Sequence, residues 1–336
     1  MSNIQQWLES VVSSNAQEIL INASQPLRLK RGREWLLVDK SDSRQLIAQI
    51  LTDEEKKNLY ENLQLRGSRE VGGISFQFDL QVDFEGVVGS LRLKNPTWAH
   101  WVLPSLFIES TAKPYGLHLV VGPRRSGKTT FVCDLLQGIK ARDKVIAVYS
   151  DEEGRDFASP GNMVSQFSIS QLRQNGVLKS ADIVVLDTLS MDLCATALQL
   201  AEEGRNVVMT LPYWNVRIGM RRFVDALPGD LQSRLQRIAE TVQMSVGCRL
   251  LTGIESPTQK AFEMLIVDSD VQKMILAEKF DAFEQTMGDL AEKNGSRSMN
   301  QSLFQLLVKR KIEFKTAFEN SPSPDQLDSL LKKVGV

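Results

Sequence analysis

One octapeptide constrains this chain more than any other feature. Gly122-Pro-Arg-Arg-Ser-Gly-Lys-Thr129 follows a short apolar run, Leu117–Val121, and opens a stretch of helical character reaching about Lys140. A backbone that leaves a buried strand through this glycine spacing and enters a helix turns successive N–H groups inward, and the helix N-terminus adds its dipole at the same point. Such a nest takes an anion. The spacing Gly122-x-x-x-x-Gly127-Lys128-Thr129 is that of a phosphate-binding loop, so the candidate ATP-binding residues are Gly122, Pro123, Ser126, Gly127, Lys128, Thr129 and Thr130. Lys128 is placed to reach the β- and γ-phosphates and Thr129 to ligate Mg²⁺. Arg124 and Arg125, inside the loop, either add phosphate contacts or face solvent.

The surrounding pattern agrees. Val145–Tyr149, Ile183–Leu186 and Asn206–Thr210 are further buried-strand candidates with helical stretches between them, the signature of a parallel sheet with helices on both faces. A phosphate-binding loop that does chemistry also needs an acid at a nearby strand end, for the metal or the attacking water. Four apolar residues, Ile183-Val184-Val185-Leu186, end in Asp187, which fits that role; an Asp there also serves simply as a turn former. The acidic stretch Ser150-Asp151-Glu152-Glu153-Gly154-Arg155-Asp156 follows the preceding strand, at the edge where ligands gather in open α/β sheets. A carboxylate there is either a general base toward water or part of a solvated loop.

Upstream, an amphipathic opening helix (Ile4, Trp7, Leu8, Val11, Val12) leads into the short apolar run Ile19–Ile21, and strand-like pieces follow at Pro26–Lys30 and Trp35–Val38. Asp42–Leu51 and Asp53–Leu65 read as helices, the second capped by Thr52 or Asp53. Alternation in Gly73–Leu80 and Val87–Leu93 predicts an antiparallel pair. Residues 95–115 hold three prolines and little periodicity, which sets the expected division: an N-terminal α/β domain over 1–96, a linker over 97–115, the phosphate-binding domain over 116–280, and a helical C-terminal region over 281–336.

Composition excludes more than it proposes. A formal net charge of −1 gives no bulk attraction to nucleic acid, and no basic, aromatic-rich stripe marks a strand-tracking surface, so a nucleic-acid translocase is disfavoured. The three cysteines show no paired spacing, which fits a reducing compartment and no zinc site. The first residues lack a signal-peptide pattern, and no apolar run approaches the ~18 residues of a membrane span. A cytoplasmic protein without direct membrane insertion is expected.

In this order, these elements resemble the PilT/GspE family of secretion and type IV pilus ATPases across nearly the whole chain. Leu117–Pro123 is similar to the family's entry strand, Ala201-Glu202-Glu203-Gly204 to its Ala-Glu-Thr-Gly, and Arg222–Pro228 to its Arg-Ile-Ile-Asp-Val-Phe-Pro. Val242–Leu250 resembles the helix after that stretch, and Ala261–Ile266 the next strand. Asp270–Ile275 looks like a diverged Ala-Ile-Arg-Asn-Leu-Ile of retraction motors, and Ser298–Leu303 resembles a Met-to-Leu segment of the same branch. The resemblance implies a PAS-like α/β N-terminal domain, then a RecA-like domain with a helical tail, in a hexameric ring. It further implies ATP hydrolysis driving pilus retraction and twitching motility. The expected partners are an inner-membrane pilus platform protein, with a paralogous ATPase as a further candidate, and the chain is expected to be cytoplasmic and peripheral to that membrane.

Departures from the family pattern bear on turnover. The histidine box reads Thr210-Leu211-Pro212-Tyr213, and the only histidines are His100 and His118. The acidic box reads Tyr149-Ser150-Asp151-Glu152-Glu153, keeping only its last acid, the expected base Glu153. The family's Asn-Gln-Arg-Glu is reduced to Ser165-Gln166, and Phe-Arg-Val-Asn becomes Phe76-Gln77-Phe78-Asp79, leaving Arg92 as the intersubunit candidate. Asp187 stands where the family has glutamate. Because an arginine finger alone is worth roughly 10³–10⁵ in rate, such losses permit ATP binding with slow hydrolysis. A weakly hydrolysing or non-hydrolysing partner that regulates an active paralogue is therefore the alternative to a motor.

Overall fold

The structure is a computed structural model that describes residues 2–14, 16, 18–23, 25–31, 34–38, 43–93, 100–111, 113–151, 157–172, 176–255 and 258–333. The chain folds as two compact units, Met1–Ala99 and His100–Val336.

The first unit holds six strands, β1 (Glu18–Asn22), β2 (Arg28–Arg31), β3 (Glu34–Leu37), β4 (Gln64–Val71), β5 (Ile74–Asp83) and β6 (Gly86–Leu93). They form one antiparallel sheet in the order β3-β2-β1-β6-β5-β4. Alternation decides its faces. Phe76, Phe78 and Leu80 of β5 point into a core with Leu8 and Val11 of helix Ser2–Ser13, Ile47 and Ile50 of helix Ser43–Ile50, and Leu59 of helix Asp53–Asn62. The intervening Gln77, Asp79 and Gln81 face away. Thr52 is the cap of the third helix: its Oγ1 accepts from Glu55 N at 3.2 Å, while Glu55 Oε2 accepts from Thr52 N at 2.8 Å.

That helix stops at Asn62, short of the expected Leu65, and the chain turns at once into β4. Helix periodicity conceals this edge strand, because none of its residues is fully buried. It is held by pairing with β5 along its length and by Arg69 Nη2, which donates to both carboxylate oxygens of Glu55 at 2.7 Å.

The second unit is built on β7 (Gly116–Val121), β8 (Val145–Ser150), β9 (Met163–Ser168), β10 (Ile183–Asp187), β11 (Asn206–Leu211), β12 (Val242–Leu251) and β13 (Gln259–Ile266). The sheet order is β13-β12-β7-β11-β10-β8-β9, parallel throughout except for β13. All of β7 is buried because both of its faces are covered, and this is why it reads as a continuous apolar run. Leu117, Leu119 and Val121 face helices Cys194–Glu202, Val216–Asp225 and Leu231–Thr241. His118 and Val120 face Phe107 and helix Lys128–Gly138.

One expectation is corrected here. Val242–Leu250 is not a helix but the strand β12; the helix of this region is Leu231–Thr241, capped by Asp230. The run Val-Gln-Met-Ser-Val-Gly-Cys-Arg-Leu-Leu is β-branched and apolar enough to fill the slot beside β7, and burial there decides its conformation. The strands read as parallel are so, and beyond them β13 returns antiparallel to β12. The helical tail lies over this edge, with Met299, Leu303, Leu307, Leu327 and Leu331 packed on Leu251 and Ala261. Among the described residues, no helix is long and apolar enough to cross a membrane.

Candidate functional site

Parallel pairing brings the functional segments to one edge. The carboxyl ends of β8, β10, β11 and β7 lie side by side, with Ser150 paired to Asp187, Leu186 to Met209, and Leu211 to Val121. Asp187 therefore stands two strand spacings from the start of the glycine loop, about 10 Å, the reach of a metal ion carried on a triphosphate.

The loop has the geometry the motif requires. Gly127 adopts φ +89°, a left-handed conformation, and leads directly into helix Lys128–Gly138. A Cβ on Gly122 would sit 2.2 Å from Ser126 Oγ and 3.0 Å from the Cys248 carbonyl, so the chain closes on itself only with glycine there. Arg125 takes φ +64°, a second left-handed residue that curls the loop, and both Arg124 and Arg125 are exposed. Pro123, Thr129 and Thr130 are half-buried around this curl.

Two features fit an anionic occupant. Ser126 Oγ is buried and has no hydrogen-bond partner. Lys128 is buried with its Nζ folded onto the loop, donating to Gly122 O at 2.7 Å and Pro123 O at 3.0 Å. Neutral carbonyls are modest partners for an ammonium, and phosphate oxygens are stronger ones. The residues present thus fit a magnesium nucleotide, with Thr129 and Asp187 as the oxygen donors toward the metal.

Asp187 is buried at the end of β10, and the chain beyond it is pinned on both sides. Thr210 Oγ1, on β11, accepts from Thr188 N at 3.0 Å and donates to Thr188 O at 3.0 Å. Thr188 Oγ1 donates to Asp151 Oδ2 at 2.5 Å, and Asp151 N donates to Asp187 O at 3.3 Å. Of the acidic stretch after β8, Ser150 and Asp151 are thus located, whereas Glu153 lies outside the described residues. Arg92 belongs to the first unit, on β6, with its Nη2 3.9 Å from Glu18.

Neither histidine reaches the end of β11. His118 is fully enclosed against the Phe107 ring, and burial pushes its imidazole down to about 3, so it stays neutral. His100 Nδ1 lies 2.7 Å from Asp134 Oδ1, on the helix that follows the loop. None of the three cysteines is in a disulfide, and burial raises the thiols of Cys194 and Cys248 to about 12, which leaves them inert.

Several residues at this edge carry no sequence signal. Thr210 reads as one more strand residue. Asp134 Oδ2 accepts from Trp101 N at 2.6 Å, fastening to the loop helix a segment that sequence treats as proline-rich linker. Behind β12, the guanidinium of buried Arg249 lies 3.5 Å from the Trp214 ring centroid, and Glu263 Oε1 accepts from Val216 N at 2.6 Å. Each depends on partners distant in sequence, which pattern cannot supply.

No family model matches the chain. It is 24% identical over 299 residues to the type IV pilus retraction ATPase PilT of Pseudomonas aeruginosa, covering 83% of this chain and 85% of that protein. A twitching motility protein of Neisseria gonorrhoeae is 23% identical over 278 residues, covering 78% and 74%. The fold superimposes on the crystal structure of the pilus retraction motor PilT with bound ADP at a TM-score of 0.77 and 22% identity, over 97% of this chain and 99% of that one. The Legionella pneumophila ATPase DotB gives 0.76 and 18% identity, over 94% of each chain. Sequence and fold comparisons cover most of the same length, and over it the chain is similar to the PilT-like type IV pilus and secretion ATPases.

Proposed function

We propose that the chain binds magnesium ATP in the loop 122–129 and works as a ring-forming ATPase of a type IV pilus or related secretion machine, on the retraction side. The observation that carries this reading is the formed anion nest: left-handed Gly127, the close pass at Gly122, and the buried Lys128 ammonium folded onto the loop. Lys128 exchanges those carbonyls for β- and γ-phosphate oxygens, and the backbone N–H groups around Ser126 and Gly127 cradle the remaining charge. Magnesium, when bound, would neutralise charge on the phosphate oxygens, and Thr129 and Asp187 would hold it. Thr210 and Asp151 keep the Asp187 end of β10 in place. Glu153 is proposed as the base that receives the proton of the attacking water.

The same reading makes the active unit a hexamer, with each pocket completed by an adjacent copy and Arg92 as the cation offered across that contact. Work is delivered to an inner-membrane platform protein from its cytoplasmic side. Support comes from the likeness to a retraction ATPase and a twitching motility protein.

A specific observation favours a second reading. β11 ends at Leu211 and passes to Pro212 and Tyr213 where the resembling family has histidine, while His118 is locked in the core and His100 is engaged by Asp134. A chain that binds ATP and turns it over slowly would serve as a regulatory partner to an active paralogous motor.

Calorimetry with magnesium ATP and phosphate release, on one preparation of the chain and of Lys128→Ala, tests both. Loss of the Lys128 contacts lowers affinity by roughly 10- to 100-fold. Turnover abolished in the variant supports the motor. Binding with phosphate release equal in the two proteins supports the regulatory partner. No nucleotide uptake at millimolar ligand refutes both.

A further inference from the structure

Beside the loop lies a pair of donors that the reading above does not use. Trp101 is 5% exposed, its indole Nε1 has no hydrogen-bond partner, and a Cβ on Gly127 would stand 3.4 Å from that nitrogen. The ring is fixed from both sides, by Asp134 Oδ2 on its backbone N–H and by an edge contact with Phe131 at 5.5 Å between centroids. On β13, Lys260 sits opposite Leu250 of β12, whose Cδ2 would lie 3.3 Å from the same Cβ. Lys260 Nζ is 5.2 Å from the Trp101 ring centroid, buried, and without a hydrogen-bond acceptor among the described residues.

A buried ammonium without a counter-ion is unfavourable. Burial pushes Lys260 down to about 8, against the attraction of Asp134 and the Cys248 sulfur. Asp134 is already committed to Trp101 N and His100 Nδ1, at 2.6 and 2.7 Å. Beside Lys260, the Trp101 indole N–H is a second buried donor without an acceptor among the described residues. Donors converging without an acceptor make a receptor for an anion.

We propose that Trp101 Nε1 and Lys260 Nζ bind the α-phosphate of the nucleotide whose β- and γ-phosphates occupy the loop. Lys128 takes the β,γ end, and phosphates run in line along the loop, so a donor pair beside Gly127 meets the remaining phosphate. This inference rests on the loop binding nucleotide. Its ligand class is a nucleoside di- or triphosphate, distinguished from bare pyrophosphate by the phosphate next to the ribose.

The test is calorimetry on the full chain with magnesium ADP, magnesium ATP and inorganic pyrophosphate, for wild type, Lys260→Met, Lys260→Arg and Trp101→Phe. Removing a charge-assisted contact predicts roughly 10- to 100-fold weaker ATP binding for Lys260→Met, with pyrophosphate affinity unchanged. Lys260→Arg restores most of the loss, and Trp101→Phe, which keeps the ring packing, weakens ATP by roughly 3- to 10-fold. Unchanged ATP affinity in both Lys260→Met and Trp101→Phe overturns the proposal, as does an equal loss for ATP and pyrophosphate. Wild-type protein that binds no nucleotide refutes the loop reading itself, and this inference with it.

Discussion

Thr210 is the side chain whose removal most directly tests how the catalytic edge is held. Its hydroxyl is the hinge pin between β11 and the end of β10: it accepts from Thr188 N and donates to Thr188 O, both at 3.0 Å. Thr210 is 1% exposed and Thr188 2%, so water does not replace a lost partner. Thr210→Val keeps the shape and removes only the hydrogen bonds. It strands a backbone N–H and a backbone C=O, each costing about 1–3 kcal/mol when buried and unpaired; with partial relaxation, roughly 2–4 kcal/mol of stability is lost. Urea unfolding should show the midpoint fall with the slope unchanged, because the surface exposed on unfolding is the same. Thr210→Ser, which keeps the hydroxyl, should recover at least half of the loss. Asp187 directly precedes Thr188, so affinity for magnesium ATP should fall in the valine variant as well, by more than the affinity for metal-free ATP. A Thr210→Val protein within ~0.5 kcal/mol of wild type would refute the argument, since surface-like tolerance is what an unimportant site shows.

Two further outcomes follow from named contacts. Gly127→Ala places a Cβ at φ +89°, 3.2 Å from Trp101 Cζ2 and 3.3 Å from Leu250 Cδ2; it should cost about 1–3 kcal/mol in thermal or urea unfolding and weaken ATP by more than tenfold, while Gly204→Ala, also at positive φ but in open space, should leave ATP affinity unchanged. Glu284 faces buried Glu263, and desolvation together with that neighbouring carboxylate raises Glu284 to about 8. A carboxyl raised this far is stabilising while protonated, so the contribution is complete below the ordinary value of 4.5 and is lost as pH rises through about 8. Glu284→Gln should therefore leave the melting temperature unchanged near pH 5 and raise it by several degrees near pH 9; an equal effect at both pH values would disprove the shared-proton arrangement.

Much of the second unit was legible in the chain itself. β7, β8, β10 and β11 are enclosed on both faces, and enclosure demands the short apolar runs from which they are read. The loop is legible because its chemistry is local: two glycines, a lysine and a threonine within one turn of backbone. Edge and end strands were not. β4 and β9 expose alternate residues and so carry no hydrophobic signature, while β12 takes its conformation from its place beside β7.

What the sequence alone determined is where an anion nest forms and which residues of the loop build it, since backbone conformation at Gly122 and Gly127 and the reach of Lys128 are set within a few residues. Only the tertiary structure decided what stands around that nest. Trp101 beside Gly127, Lys260 above the indole and Thr210 locking the Asp187 strand are meetings between residues far apart along the chain. Side chains of ordinary type acquire such roles through sheet order and burial, and neither quantity is encoded in any local stretch of the chain.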